Sequence, residues 1–352
     1  MVMSGFPRRS ETFALNELAA LDEVGLVAMI FATKPGDGAE PHPRVAQLAA
    51  RVVHLRPGSA IEHAERVAKH LRGTEVAGVH GYFAHAPAEV AARAAARLRV
   101  PYGFSAHARD VRKVEPDQLA RRGRGAAVVI ACNADVAASL RSRGVTPHLV
   151  PHGVDIDLFA PRDPVRTSDR LHLLAVGRLV EKKGFAVLLS AVARLDIACS
   201  LRIVGEGQED ERLRRAIARL GLADRVTLAG GLTHADLPGQ YAAADIVVVP
   251  SIQDRTGDRD GLPNVVLEAM ASSRPIVATH TGAIPDAVVD GENGLLVSAG
   301  DEQSLAHAIR TLADDAELRE RLGRAGRARA VRDFAIRACT NRLRRLLEAA
   351  YA

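Results

Sequence analysis

Along this chain of 352 residues the hydrophobic period keeps switching, always in the same order. A short run rich in Val, Ile and Leu comes first, at residues 25–33, 51–55, 76–80 and 126–131. A stretch with helical spacing follows, as at 61–72, 88–99 and 135–143. Strand, helix, strand in that order implies parallel sheets with right-handed crossovers. The segment 161–169 interrupts it with Pro161, Pro164 and clustered polar residues, the marks of a linker. The pattern then restarts at 171–177, 200–205, 226–229, 246–250, 275–279 and 294–297. The expected architecture is α/β: two Rossmann-like, doubly wound parallel-sheet domains facing a cleft. They span residues 1–160 and 161–335, and an amphipathic helix in 336–352 closes the chain. Aromatics are only 3 % and Trp is absent, so Ala, Val and Leu must fill both cores.

The same composition excludes several classes. With 47 % hydrophobic and 25 % charged residues the chain is a folded, water-compatible one. No apolar run approaches the ~20 residues that span a bilayer. The N-terminus lacks a charged segment followed by an apolar one, so no secretory signal is expected. Cys132, Cys199 and Cys339 are odd in number and scattered, which suits small buried hydrophobes in a reducing cytosol. The net charge of +5 lies mostly in residues 1–160, which carry 20 Lys and Arg against 16 Asp and Glu. No basic stripe is interleaved with aromatics, so nucleic acid is not an expected partner. The mild excess suits an anionic small ligand or an anionic membrane face.

In doubly wound sheets ligands bind beyond the C-terminal ends of the strands, so the loops leaving strands matter most. One apolar run ends at Gly177, and a helix is expected from about Gly184. Between them stand Arg178, able to grip phosphate oxygens bidentately, and Lys183, a point charge near a helix start. This suits a diphosphate, and equally a tight turn with solvated basic residues. A second loop holds Asp260 between Gly and Pro residues, and Glu268 comes after seven residues on the next helix. Two carboxylates at different depths could accept hydrogen bonds from two sets of hydroxyls. They could equally be a turn residue and an exposed helix residue.

Taken together these segments resemble a known family. Gly177-Arg178-Leu179-Val180-Glu181-Lys182-Lys183-Gly184 is similar to the donor-phosphate loop of retaining GT-B glycosyltransferases of family four, the glycosyl transferases group 1 type. Ile203-Val204-Gly205-Glu206-Gly207 resembles their second glycine loop. Asp260-Gly261-Leu262-Pro263-Asn264-Val265-Val266-Leu267-Glu268 resembles their Glu-x7-Glu signature, and the stretches from Gly282 and Gly291 resemble the family segment C-terminal to that signature. The likeness covers nearly all of 171–335. In the first half Phe6-Pro7-Arg8-Arg9-Ser10-Glu11-Thr12-Phe13, the segment from Tyr102 through His107 to Asp110, and Val150-Pro151-His152-Gly153-Val154-Asp155 resemble a subgroup that builds exopolysaccharides and lipopolysaccharides. The chain departs from the pattern in three places. Asp260 replaces the first Glu and is one methylene shorter. His152 stands where Asn is common. The five residues before Phe6 leave room only for a short first strand, unless the true start lies upstream.

The resemblance implies roles. Arg178 and Lys183 would neutralise the donor diphosphate and stabilise the leaving nucleotide. Glu268 would bind the ribose, and Asp260 the hydroxyls of the transferred sugar. Gly177, Gly205, Gly261, Leu262 and Asn264 would complete the donor site. His107 would contact a sugar hydroxyl near the reacting carbon, and Ser10, Glu11 and Thr12 would line the acceptor side. A second reading makes residues 10–12 an ordinary helix cap. The implied activity is transfer of a sugar from a nucleoside-diphosphate sugar to a hydroxyl of a saccharide, glycolipid or other acceptor, with retention. No carboxylate pair is obviously placed for double displacement. Asp155-Ile156-Asp157 and Asp258-Arg259-Asp260 are metal-like patterns, but Arg178 and Lys183 already supply the charge a metal would bring, so no metal or other cofactor is expected. The cluster Arg109, Arg112, Lys113, Arg121, Arg122 and Arg124 is either a solvated face or a peripheral contact with the inner face of the cell membrane. Three other readings are open in decreasing order. One is a nucleotide-sugar epimerase or phosphorylase. Another is a catalytically silent sugar-nucleotide-binding protein. The third, a dinucleotide oxidoreductase, fares worst because Asp210 replaces the third glycine of G-x-G-x-x-G.

Overall fold

A computed structural model describes residues 1–8, 11–37, 43–162 and 170–352, with backbone only at Pro43, Arg109 and Asp110. It divides into two compact units, Met1–Gly153 with Ile336–Ala352, and Val154–Ala335. The break therefore falls ahead of the proline-rich segment, most of which (163–169) lies outside the described residues. The physical reason is Phe159. It is buried in the second core and meets Tyr241 edge-on at 5.6 Å between ring centroids. Val154 N–H also donates to the carbonyl of Phe334 at 2.8 Å.

The first unit is built on β1 (Val2–Met3), β2 (Ile30–Ala32), β3 (Val52–His54), β4 (Val79–Gly81), β5 (Tyr102–Ala106), β6 (Val128–Ala131) and β7 (His148–Leu149). They form one parallel sheet in the order β3-β2-β1-β4-β5-β6-β7. The first strand is indeed short, two residues in mid-sheet. Its flanking helices are α1 (Thr12–Glu23), α2 (Pro43–Leu48), α3 (Ala60–His70), α4 (Ala86–Leu98), α5 (Ala108–Lys113), α6 (Pro116–Gly125) and α7 (Ala134–Arg141). Ser59 starts α3 through a reciprocal capping box with Glu62. Four alanines of α4 (Ala88, Ala91, Ala94 and Ala95) are at most 1 % exposed, which is how an Ala-rich helix lies close on a sheet. Among the basic cluster, Arg122 is turned inward. Its guanidinium reaches the Ala84 carbonyl at 2.9 Å and Glu89 at 3.0 Å, so it ties α6 to α4 and leaves the basic face.

The second unit contains β8 (Leu171–Val176), α8 (Phe185–Ala193), β9 (Cys199–Val204), α9 (Asp210–Arg219), β10 (Val226–Leu228), α10 (Leu237–Ala243), β11 (Ile246–Val249), α11 (Asn264–Ala271), β12 (Ile276–Thr279), α12 (Ile284–Ala287), β13 (Leu295–Val297), α13 (Glu302–Asp314) and α14 (Ala316–Asp333). Its parallel sheet runs β10-β9-β8-β11-β12-β13. Side-chain caps from Asp301 and Asp315 start α13 and α14. The last helix, α15 (Ile336–Tyr351), is not a separate closing element. It belongs to the first unit, where Leu343 and Leu347 enter the core beside α1 and Tyr351 hydrogen-bonds His80 at 2.8 Å. All three cysteines are buried and free. Among the described residues no helix is long and apolar enough to cross a membrane.

Candidate active site

Both sheets have a point where the strand order reverses, between β8 and β11 in one and between β1 and β4 in the other. Crevices outside such points are where doubly wound sheets bind ligands. The candidate residues of each unit collect there.

In the second unit the loop after β8 carries Gly177 and an exposed Arg178, then a tight turn at Glu181–Lys183 that runs into α8. Gly184 joins turn and helix with φ of 67°, and a Cβ there would stand 1.8 Å from the carbonyl oxygen of Pro250. Only glycine meets both demands, so this residue lets the β8 and β11 loops touch. Gly205, after β9, approaches as closely from the other side, since its Cβ would lie 1.9 Å from the Gly177 oxygen.

The loop from Ser251 to Gly261 is fastened to that turn by charge. Lys183 Nζ lies 2.8 Å from Asp260 Oδ2, and Lys182 Nζ lies 3.1 Å from Asp258 Oδ2 and 3.5 Å from Asp260 Oδ1. Ser251 Oγ donates to Asp260 Oδ2 at 3.0 Å. Burial would push the Asp260 carboxyl up. Lys183 and Lys182, with hydrogen bonds from Lys183 and Ser251, outweigh it and hold the group below its ordinary value. Glu268, on α11, is the opposite case. It is 6 % exposed, accepts a hydrogen bond from Tyr241 OH to Oε2 at 2.7 Å, and burial raises its pKa to about 7. The exposed-helix alternative for Glu268 is thereby overturned. Its position faces the core side of α11, where a glutamate needs a reason to be. Gly261, Leu262 and Asn264 stand half-exposed where the loop enters α11.

In the first unit His107 comes directly after β5 and is 8 % exposed. It is boxed by rings. His152 stacks on it at 5.0 Å and 6°, and Tyr82, Phe83 and Phe13 lie at 5.4, 4.8 and 5.3 Å between centroids. Glu17, buried in α1, receives the Tyr82 hydroxyl at 2.8 Å and sits 3.1 Å from His152 Nδ1. Burial raises the Glu17 carboxyl, but His152 and Tyr82 together bring it below its usual value. Burial likewise lowers His152, with Glu17 offsetting part of the shift. The His152 departure therefore has a partner that Asn would meet differently. Ser10 lies outside the described residues. Glu11 is the residue before α1, makes no side-chain cap bond and pairs with Arg8 at 3.1 Å, while Thr12 opens the helix. Glu11 and Thr12 thus do not supply the capping box. Asp155, of the other Asp-x-Asp pattern, accepts from the N–H groups of Asp157 and Leu158, which is turn chemistry.

Sequence reasoning assigned nothing to Lys182, Tyr241, Ser251, Glu17 or Tyr82. Lys182 and Lys183 are neighbours in an irregular turn, so no periodicity distinguished the more buried one. Tyr82, at 1 % exposed, and Tyr241, at 0 %, are two of only four tyrosines. Their scarcity was the one available signal.

Comparison with known proteins places the chain's family and fold. The family model for Glycosyltransferase Family 4 matches residues 10–158, and that for Glycosyl transferases group 1 matches 159–329. WcaL of Salmonella typhimurium, assigned as a colanic acid biosynthesis glycosyltransferase, is 29 % identical over 97 % of each chain. The GDP-mannose-dependent alpha-(1-6)-phosphatidylinositol monomannoside mannosyltransferase of Mycolicibacterium smegmatis is 34 % identical over 56 % of this chain and 55 % of its own. The structure of Anabaena Alr3699/HepE, solved in complex with UDP, superposes with a TM-score of 0.82 over 99 % of both chains at 20 % identity, a likeness of fold. With two adjoining family modules over almost its whole length and the paired Rossmann-like units of the GT-B fold, the chain belongs to the group 1 glycosyltransferases.

Proposed function

We propose that the protein moves a sugar from a nucleoside-diphosphate sugar to a hydroxyl acceptor, with retention, in the building of a cell-surface polysaccharide or glycolipid. The observation that carries the reading is the Lys183–Asp260 pair in the loops at the sheet's switch point, whose charge reaches the α11 carboxylate Glu268, with Arg178 exposed in the same β8 loop. Relatives named for colanic acid synthesis and for mannosylation of a phosphatidylinositol glycolipid support the acceptor class, and a fold neighbour solved with UDP supports the donor class.

Arg178 and Lys183 neutralise the diphosphate, Lys183 leaving Asp260 to do so. Asp260 accepts hydrogen bonds from hydroxyls of the transferred sugar, and Glu268 from the ribose. Gly177, Gly205, Gly261, Leu262 and Asn264 line the donor. On the first unit His107 meets a sugar hydroxyl, with Glu11 and Thr12 on the acceptor side. Retention comes from front-face departure. The bond from the anomeric carbon to the phosphate oxygen breaks, the bond to the acceptor oxygen forms on the same face, and the acceptor proton passes to the leaving phosphate. No metal takes part in this scheme, because Arg178 and Lys183 supply the charge a metal would bring and Lys182 sits on both the Asp258 and Asp260 carboxylates. The protein would work at the cytoplasmic face, where nucleotide sugars are available.

Calorimetric titration with UDP, GDP, dTDP, ADP and NAD, in EDTA, is the test. One nucleoside diphosphate should bind, and the double variant Arg178→Ala/Lys183→Ala should lose it. Binding of none by folded protein, or a requirement for magnesium, would overturn the donor reading or the metal-free scheme respectively.

A further inference from the structure

Four charged side chains in the second unit alternate in sign: Asp258, Lys182, Asp260, Lys183. Lys182 is 9 % exposed and spans both aspartates, whereas Lys183 touches Asp260 alone. A diphosphate at Lys183 competes with Asp260 for the same ammonium. Stripping a buried charge of its counter-charge is strongly unfavourable, so Asp260 needs a cation that stays.

Lys182 is held in place independently of Lys183. Its carbonyl accepts from Ile252 N–H at 2.8 Å, and its ammonium rests on Asp258. Asp258 is itself fixed by a closed turn, in which Asp254 Oδ1 accepts from the N–H groups of Thr256 and Asp258 at 2.9 and 3.0 Å. Glu181, paired with Arg255, lies in the same turn as Lys182. Burial raises the Glu268 carboxyl on α11, and Tyr241 and Lys183 offset only part of that rise.

We infer that Lys182 is a positioning residue of the donor site: it stays on Asp260 as counter-charge and so releases Lys183 from that carboxylate to the incoming diphosphate. This rests on the donor reading above. Without Lys182, Asp260 competes with the ligand for Lys183.

The test is a double-mutant cycle read by calorimetry with bare UDP, GDP, dTDP and ADP, on variants whose folding is checked by circular dichroism. Lys182→Gln should weaken whichever nucleoside diphosphate the wild type binds by at least tenfold. Adding Asp260→Asn removes the competing carboxylate, so Lys182→Gln/Asp260→Asn should bind within threefold of Asp260→Asn alone. A merely structural lysine would not be rescued in this way. Lys182→Arg keeps the charge and should stay within threefold of wild type. If Lys182→Gln does not fold, Asp258→Asn decides, since it turns Lys182 wholly onto Asp260 and should leave binding equal or tighter. Wild-type affinity in Lys182→Gln, an equal loss with and without Asp260, or a tenfold loss in Asp258→Asn would overturn the inference alone. No binding by wild type would overturn the donor reading and this one with it.

Discussion

The two switch points of this molecule are furnished with different chemistry. Around β8 and β11 the loops are held by ions, two lysines against two aspartates, with a glutamate buried behind. Around β1 and β4, with β5 beside them, the corresponding space holds stacked rings, with Glu17 as the buried acid that ties two of them. On the proposed function, fixed charge would answer the charged diphosphate, and the wall of rings with imidazole edges the neutral face of a sugar. The same sheet architecture thus carries two different chemistries through its loops alone.

The contrast breaks most readily at the ionic end. Arg178→Ala/Lys183→Ala should weaken nucleoside-diphosphate binding at least a hundredfold, about 3 kcal/mol, and Lys183→Ala alone should cost more in kcat than in KM, because phosphate charge grows in the transition state. A change confined to KM would remove that role.

Glu268 gives a pH-dependent effect of nearly the same size. Its folded pKa, about 7, lies above the ordinary carboxyl value, so the stability tied to its neutral form is full in acid and is lost as pH rises through 7. Glu268→Gln lacks this slope. Its melting temperature should gain on wild type from pH 5 to pH 8, by up to about 3 kcal/mol in stability. Parallel melting curves across that range would contradict the burial.

At the aromatic end His107→Ala should cost ten- to a hundredfold in transfer rate while leaving bare nucleoside-diphosphate affinity unchanged, as calorimetry would show. A loss of diphosphate affinity would erase the distinction between the two ends. The smallest effect belongs to Tyr82→Phe, which takes one hydrogen bond from Glu17 and should lower stability in urea by about 1–2 kcal/mol.

Legibility differed between the units as well. All six strands described in the second unit fall on apolar runs visible in the sequence, because each is flanked by glycine- or proline-bearing turns. In the first unit β1 and β7 have two residues each, too few for any period, and Tyr102–Ala106 hid β5 behind a Gly and a Ser. Arg178, Lys183, Asp260 and Glu268 stood out by spacing and family likeness. What spacing could not carry was burial and pairing. Nothing in the order of residues says that Lys182 lies deeper than Lys183, that Tyr241 reaches Glu268, or that His152 finds Glu17 from 135 positions away.

Because α15 packs in the first unit, that unit is written in two instalments, with the whole second unit translated between them. The second unit has its full set of strands by residue 297 and its last helix by 333. The first waits for Leu343, Leu347 and Tyr351 to cover α1 and to reach His80. On a ribosome the first unit's last helix is therefore made only after the whole second unit.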